Sequence, residues 1–417
     1  MKNYVKNFYI FFLIIFSGLG IFAFRNSDSS ILVLIISLIY FRVYKVYISK
    51  TFFTLVFIWI VYAFLNTIAI SSFYPSLFFY YPIMFFAAYV AIKIYGIDIF
   101  IKYEKIIYYL TLISFIFMLW HIFDVSSFYR FMDIFNINKY NDINVGSRIR
   151  YSIGIYSVNH MDSWGIPRNC GFTWEPGPFG SFIVVAIFFN MLRTQFRLRN
   201  NYVFFVLLLG LISTQSTTAV IAFFFVLVWI MLNNPIAKKA LLITLPFFVA
   251  LVVFLFINVS FLRTKIIEDI NQSDEIDELV DLSIQSRGSY APGRFASFKI
   301  TYMDFIKRPL LGYGANADLR WTNQFGADIR PVSGVGNLLA QYGLFGFILW
   351  FIGVRKSSLF FKNRYKFTKT SIVWLMIIVS ISIGFSIVIS PIFFTFYLLP
   401  FFYIQGVRTK SKLKRIE

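Results

Sequence analysis

The chain has 417 residues, of which 59% are hydrophobic and 14% charged, with 55 Phe and a formal net charge of +20. Soluble domains carry about 25% charged residues, so this composition excludes that class and defines an all-α polytopic integral membrane protein. The basic excess is read as topology and not as a nucleic-acid surface, because Lys and Arg accumulate in short cytoplasmic connections.

Lys2 and Lys6 precede an apolar segment, 8–24, that has no small-residue cleavage site and reads as a retained first span. Further spans are expected at 30–48, 51–71, 73–95 and 106–124, then at 179–192, 201–215, 217–232 and 239–262, and finally at 334–353, 371–389 and 391–406. The chain therefore divides into membrane blocks 1–124, 179–262 and 334–406, two polar loops, 125–178 and 263–333, and a basic tail, 407–417. With the amino terminus inside, the short connections collect Arg42, Lys45, Lys50, Arg193, Arg197 and Arg199 but only the acids Asp98, Glu104 and Glu417. About 12 spans with both termini cytoplasmic satisfy this bias, and both long loops then face outward.

Those loops hold the candidate chemistry. The first carries Arg148, Arg150, His160, Asp162 and Trp164, then Arg168 to Gly180 (RNCGFTWEPGPFG), which runs from a Gly/Pro-rich turn into an apolar helix. Glu175 stands just before Pro176 at the expected helix start, where the helix dipole stabilises a carboxylate. Two readings stay open for Arg168 and Glu175: a structural ion pair with capping, or contact with a substrate. Between two central spans lies a polar hinge, Ser213 to Thr218 (STQSTT).

The second loop opens with an acidic stretch, Glu268 to Asp281, that reads as a solvated amphipathic helix. Arg287 and Arg294 follow, flanking Pro292 and Gly293, and both could converge on one anion or merely meet lipid phosphates. A helix is expected after Gly293, with Phe295, Phe298, Tyr302, Phe305 and Ile306 on its apolar side and a stop at Pro309. One cysteine, Cys170, excludes an intrachain disulfide, and two histidines supply no zinc or iron ligand set. No metal or other cofactor is expected, and any metal chemistry would rest on carboxylates alone.

Two long outer loops, Arg-x-x-Gly-Phe and Glu-Pro before a helix, the STQSTT hinge, and RPLLGYG followed by SGVGNLLAQYGLFG resemble the bacterial O-antigen and capsule repeat-unit polymerases (Wzy-type). These share a superfamily with the O-antigen ligases. The resemblance implies transfer of a growing glycan from undecaprenyl diphosphate to a lipid-linked oligosaccharide repeat unit, at the outer face of the bacterial inner membrane. It further implies contact with membrane lipid and a chain-length-regulating co-polymerase as partner. On this reading Arg168, Arg294 and Glu175 are the catalytic candidates. Arg287, Arg148, Arg150, His160, Asp162, Tyr313 and Asn337 are the substrate-binding ones. The ligases place a histidine before the asparagine that opens the span after the second loop; here Gly336 precedes Asn337, which favours polymerase over ligase. A flippase of the same lipid-linked substrate is the rival from another class, and the scarcity of ionisable residues within the expected spans speaks against it.

Overall fold

The computed structural model describes residues 2–25, 27–138, 141–142, 148–159, 167–234, 289–290, 294–314, 317–326, 328–329 and 331–403. The expected span 239–262, the acidic stretch Glu268 to Asp281 and the basic tail lie outside the described residues.

Described first are α1 (Lys2–Gly18), α2 (Ser30–Val43), α3 (Lys50–Ile70), α4 (Pro75–Tyr95), α5 (Asp98–Phe123) and the short α6 (Val125–Ile134). Three small antiparallel strands follow, β1 (Asn141–Asp142), β2 (Arg148–Ser152) and β3 (Ser157–Asn159), in the order β1-β2-β3, with Ile149 opposite Asn141 and Arg150 opposite Asn159. Next come α7 (Pro176–Thr194), α8 (Tyr202–Thr214) and α9 (Thr217–Asn233), then β4 (Ser289–Tyr290) and α10 (Arg294–Lys307). The last described elements are β5 (Asp328–Ile329), which pairs with β4, and α11 (Gly334–Tyr365), α12 (Thr370–Gly384) and α13 (Pro391–Phe402). Eleven of the expected spans overlap helices, α1 to α5, α7 to α9 and α11 to α13, with ends displaced by up to about a dozen residues. Five of these helices, α3, α4, α5, α7 and α11, are long and apolar enough to cross a membrane, and the other six are shorter apolar helices.

The bundle is built around α7, whose residues from Pro176 to Leu192 are all buried. Pro176 occupies its first turn, where a missing N–H costs nothing, and Glu175 stays extended at the N-cap. Around α7 stand α5, α8 and α9; α12 joins α9 to α11, and α4 joins α2 to α13. Large side chains on α3 such as Phe57, Phe64 and Ile68 are exposed, as expected where hydrocarbon and not water is the solvent.

Two sequence expectations need correction. Glu104 was placed in a connection before a span starting at 106, yet α5 begins at Asp98 and buries it. There it receives both arms of Arg193 at 2.7 and 2.8 Å and the Asn190 amide at 2.8 Å. Such a bidentate pair satisfies a charge that would otherwise be too costly to bury. The second correction concerns α10, whose expected apolar side faces outward: Phe298, Tyr302 and Ile306 are exposed. Its buried side is small and polar, with Ala296, Ser297, Ile300, Thr301 and Asp304 at or near zero exposure.

Candidate functional site

Asn169 organises the opening motif. Its amide donates to Ser114 Oγ (2.8 Å) and Ser213 Oγ (3.0 Å), and its Oδ1 accepts from the Gly171 N–H (3.0 Å). Arg168 donates through Nε to the Thr214 carbonyl (3.3 Å) and through Nη2 to the Gln215 carbonyl (3.1 Å), the last carbonyls of α8. A guanidinium is well suited to that negative helix end. The arginine motif and the polar hinge, separate features in the sequence, are thus one unit at one end of the bundle. Two residues past Thr173, Glu175 turns into α7 without capping it through its side chain, and its carbonyl accepts from Thr173 Oγ1 at 2.6 Å.

The same end holds a broken helix. At Gly343 the backbone of α11 takes φ 61° and ψ −161°, which releases the hydrogen-bonding groups around the break. The RPLLGYG segment satisfies them. Tyr313 N–H donates to the Ala340 carbonyl (2.9 Å) and Gly314 N–H to that of Gln341 (2.7 Å). The Leu344 and Phe345 N–H groups donate to the carbonyls of Pro309 (2.8 Å) and Leu310 (3.2 Å). From α3, Tyr62 and Asn66 donate to the Leu311 carbonyl at 2.7 and 2.8 Å. Irregular backbone between spans persists only when each polar group is met in this way. A Cβ on Gly312 would lie 2.4 Å from the Gln341 carbonyl oxygen, and one on Gly343 would lie 2.4 Å from that of Leu310. The glycines of both motifs are therefore demanded by the crossing.

Beside the crossing sits a polar cluster. Asp304 on α10 is fully buried and accepts from the Thr322 N–H (3.1 Å) and hydroxyl (3.0 and 3.1 Å). Arg320, 3% exposed, donates through Nη1 to Asn337 Oδ1 at 2.9 Å, and the Asn337 amide donates to the Pro331 carbonyl at 3.0 Å. Burial raises the Asp304 carboxyl above its ordinary range, against the pull of the Arg320 charge and the Thr322 hydrogen bonds. Burial likewise lowers the Arg320 guanidinium, and the Asp304 carboxylate opposes that shift. Around the rim, Lys307 Nζ lies 5.1 Å from the centre of the Trp321 ring and the Arg308 guanidinium 5.2 Å from that of Tyr313. At the start of α11, Ser333 Oγ accepts from the Gly336 N–H at 3.1 Å. A Cβ at Gly336 would meet Thr301 Oγ1 at 2.1 Å, so α10 leaves no space for any side chain before Asn337.

Phe385, just past α12, joins the two halves: it packs on Gly177 at the head of α7, its carbonyl lies against Gly334, and its ring meets that of Trp174 at 6.4 Å. Of the residues expected to act together, Arg168, Glu175, Tyr313 and Asn337 are thereby found at one end. Tyr313, expected among the substrate-binding residues, is 5% exposed, with its N–H committed to α11. Arg148 and Arg150 sit on β2 and Arg294 is the first residue of α10. His160, Asp162 and Arg287 lie outside the described residues. Asp304 and Arg320 were missed by sequence reasoning. Among the described residues no group of three His, Cys, Asp or Glu side chains is placed to hold a metal.

A crevice of about 270 Å³ runs between α3, α4, α11 and α13, from Thr51 and Phe402 at one end to Leu338 and Ile389 at the other. Its walls are almost wholly apolar, with Trp59, Phe85 and Phe394 among them. Leu338 is the residue after Asn337, so the crevice begins beside the polar cluster.

The apolar helices define a multi-pass membrane protein, with the broken helix, its stitching loop and the polar cluster as a candidate site at one end. Residues 202–351, from α8 into α11, match the family model described as O-antigen ligase. Searches of the curated proteins and of the solved structures return no match.

Proposed function

We propose that the protein is a membrane glycosyltransferase of the polymerase type, with twelve spans, both termini cytoplasmic and the described site facing outward. It transfers a growing glycan from polyprenyl diphosphate to a hydroxyl of a carrier-linked repeat unit. Diphosphate is a good leaving group, so the main demands are to neutralise its charge and to align donor and acceptor. Arg168, Arg287 and Arg294 are assigned to the diphosphate, and Glu175 to orienting or deprotonating the acceptor hydroxyl. Arg148, Arg150, His160, Asp162 and Asn337 line the sugar path, and the carrier's isoprenoid tail lies in the crevice between α3, α4, α11 and α13.

The observation that carries the reading is the closed position at Gly336. Thr301 fills the space beside Asn337 where a ligase would need an imidazole. The family match, described as O-antigen ligase, supports ligation of finished glycan as the second reading. Polysaccharide from a strain lacking the gene separates the two. Loss of a polymerase leaves single repeat units on the final acceptor, whereas an acceptor bearing no repeat unit while polymer accumulates on the carrier would mean a ligase. In the same strain, Arg168→Ala and Arg294→Ala should fail to restore long polymer.

A further inference from the structure

Arg320 is a buried cation whose work is visible in what it does to Asn337. Arginine can only donate hydrogen bonds, and the Pro331 carbonyl can only accept them. The Asn337 amide stands between these two, with Oδ1 receiving Arg320 Nη1 and Nδ2 giving to Pro331. A flipped amide would set N–H against N–H on one side and oxygen against oxygen on the other. The orientation is therefore forced by chemistry, and it leaves the second Nδ2–H uncommitted among the described residues, on a side chain that is partly exposed at the start of α11.

Holding a guanidinium at 3% exposure for this purpose is expensive, and the surroundings show how it is met. Asp304 supplies the opposing charge, fixed by the Thr322 N–H and hydroxyl. Among the described residues Arg320 Nε has no acceptor at all, so the side chain is not seated to maximise its own hydrogen bonding. An apolar residue would stabilise a purely structural core at least as well.

We propose that Asp304 and Arg320 are positioning residues that set Asn337 as an obligate hydrogen-bond donor, which reads an acceptor oxygen, hydroxyl or carbonyl, on the sugar being transferred or extended. This rests on the reading of this end of the bundle as the glycan-transfer site. Asn337 touches substrate; the buried pair acts only through it.

The test measures chain extension in membrane vesicles supplied with the lipid-linked repeat unit, at protein levels matched by immunoblot. Asn337→Ala and the isosteric Asn337→Asp should each slow extension about tenfold or more, the scale of one well-placed hydrogen bond in a closed site. Arg320→Lys, still donor-only, should stay within about threefold of wild type. Arg320→Gln, which can accept as well as donate, should fall with Asn337→Asp, and joined to Asn337→Ala it should add no further loss. A purely structural role predicts the reverse order, with neutral Gln tolerated in the core better than Lys. Full activity of Asn337→Asp, or Gln equal to or better than Lys, overturns the proposal. Should Arg320→Gln fail to accumulate, the charge-neutral pair Asp304→Asn with Arg320→Gln takes its place, with the same loss expected and wild-type rates overturning the idea; should that also fail, Asn337→Asp alone decides. Wild-type rates for Asn337→Ala, by contrast, would remove this end of the bundle from the reaction and so refute the underlying functional reading.

Discussion

Gly343→Ala tests the crossing of the RPLLGYG segment with the broken α11. At φ 61° and ψ −161° the backbone lies in a region essentially restricted to glycine, where another residue costs about 1–3 kcal/mol. The added Cβ would also stand 2.4 Å from the Leu310 carbonyl oxygen, which itself accepts from Phe345 N–H. Relief requires the two strands of the crossing to part. Four backbone hydrogen bonds bridge it, at roughly 1 kcal/mol each, so full separation costs about 4 kcal/mol. That sum is below a typical total stability of about 5–15 kcal/mol, which predicts local opening in a folded protein. Purified Gly343→Ala should keep most of its helical circular dichroism and melt several degrees lower. A cysteine introduced at the position of Leu310 should label faster in it than in the parent, and chain extension should be lost. Unchanged labelling together with full activity would show that the crossing does not depend on glycine at 343.

The remaining predictions probe neighbouring contacts. Gly336→Ala drives a methyl group into Thr301, so it should impair accumulation or activity, and Thr301→Gly should partly restore it; additive defects in the double variant would mean the contact is not the cause. Glu104→Ala removes the buried acceptor of the Arg193 fork and the Asn190 amide, but Arg193 is 39% exposed and open to water, so the loss should be about 1–3 kcal/mol, read as a loss of folded protein in detergent, whereas the double change of Glu104→Gln with Arg193→Met should recover much of it. Asp304 binds its proton more tightly when folded than when unfolded, because burial raises it. Its own contribution to stability is therefore present at low pH and is lost as pH rises through the folded value. Acidification to just above the ordinary aspartate range should then reduce chain extension without lowering the melting temperature through this group, and Asp304→Asn should abolish that acid limb. A loss of activity that strictly follows unfolding would contradict this assignment.

The helices were legible because hydrocarbon demands long apolar segments, and few other arrangements satisfy the backbone there. Where a polar segment would attach was only half legible. Arg168 and the STQSTT hinge were each conspicuous, but nothing in their spacing shows that the guanidinium ends on the Thr214 and Gln215 carbonyls. The faces of α10 were misjudged because aromatic spacing was taken to mark the buried side, whereas the small and hydroxyl-bearing residues are the ones that permit close approach. Thr301 meets Gly336 of α11, and Ser297 Oγ accepts from the Val332 N–H at 3.0 Å. A polar stripe of Ser297, Thr301 and Asp304 at helical spacing was present in the sequence and could have marked the buried side. Arg320 carried no such signal. It is one arginine among many in a loop, and its meaning comes from Asn337, 17 residues away, whose amide it orients.

That dependence explains why glycines dominate the recognisable motifs while the charged residues beside them do not stand out. Gly312, Gly336 and Gly343 are each required by an approach that admits no Cβ, so they mark the places where backbone must meet backbone or a hydroxyl. On the proposed reading, the polar side chains placed by that approach select the sugar, because the crossing holds whichever oxygen is being read. On that reading, replacing residues 317–329 by those of a polymerase of different glycan specificity should alter the repeat unit accepted, while replacing 308–314 should affect only the amount of folded protein.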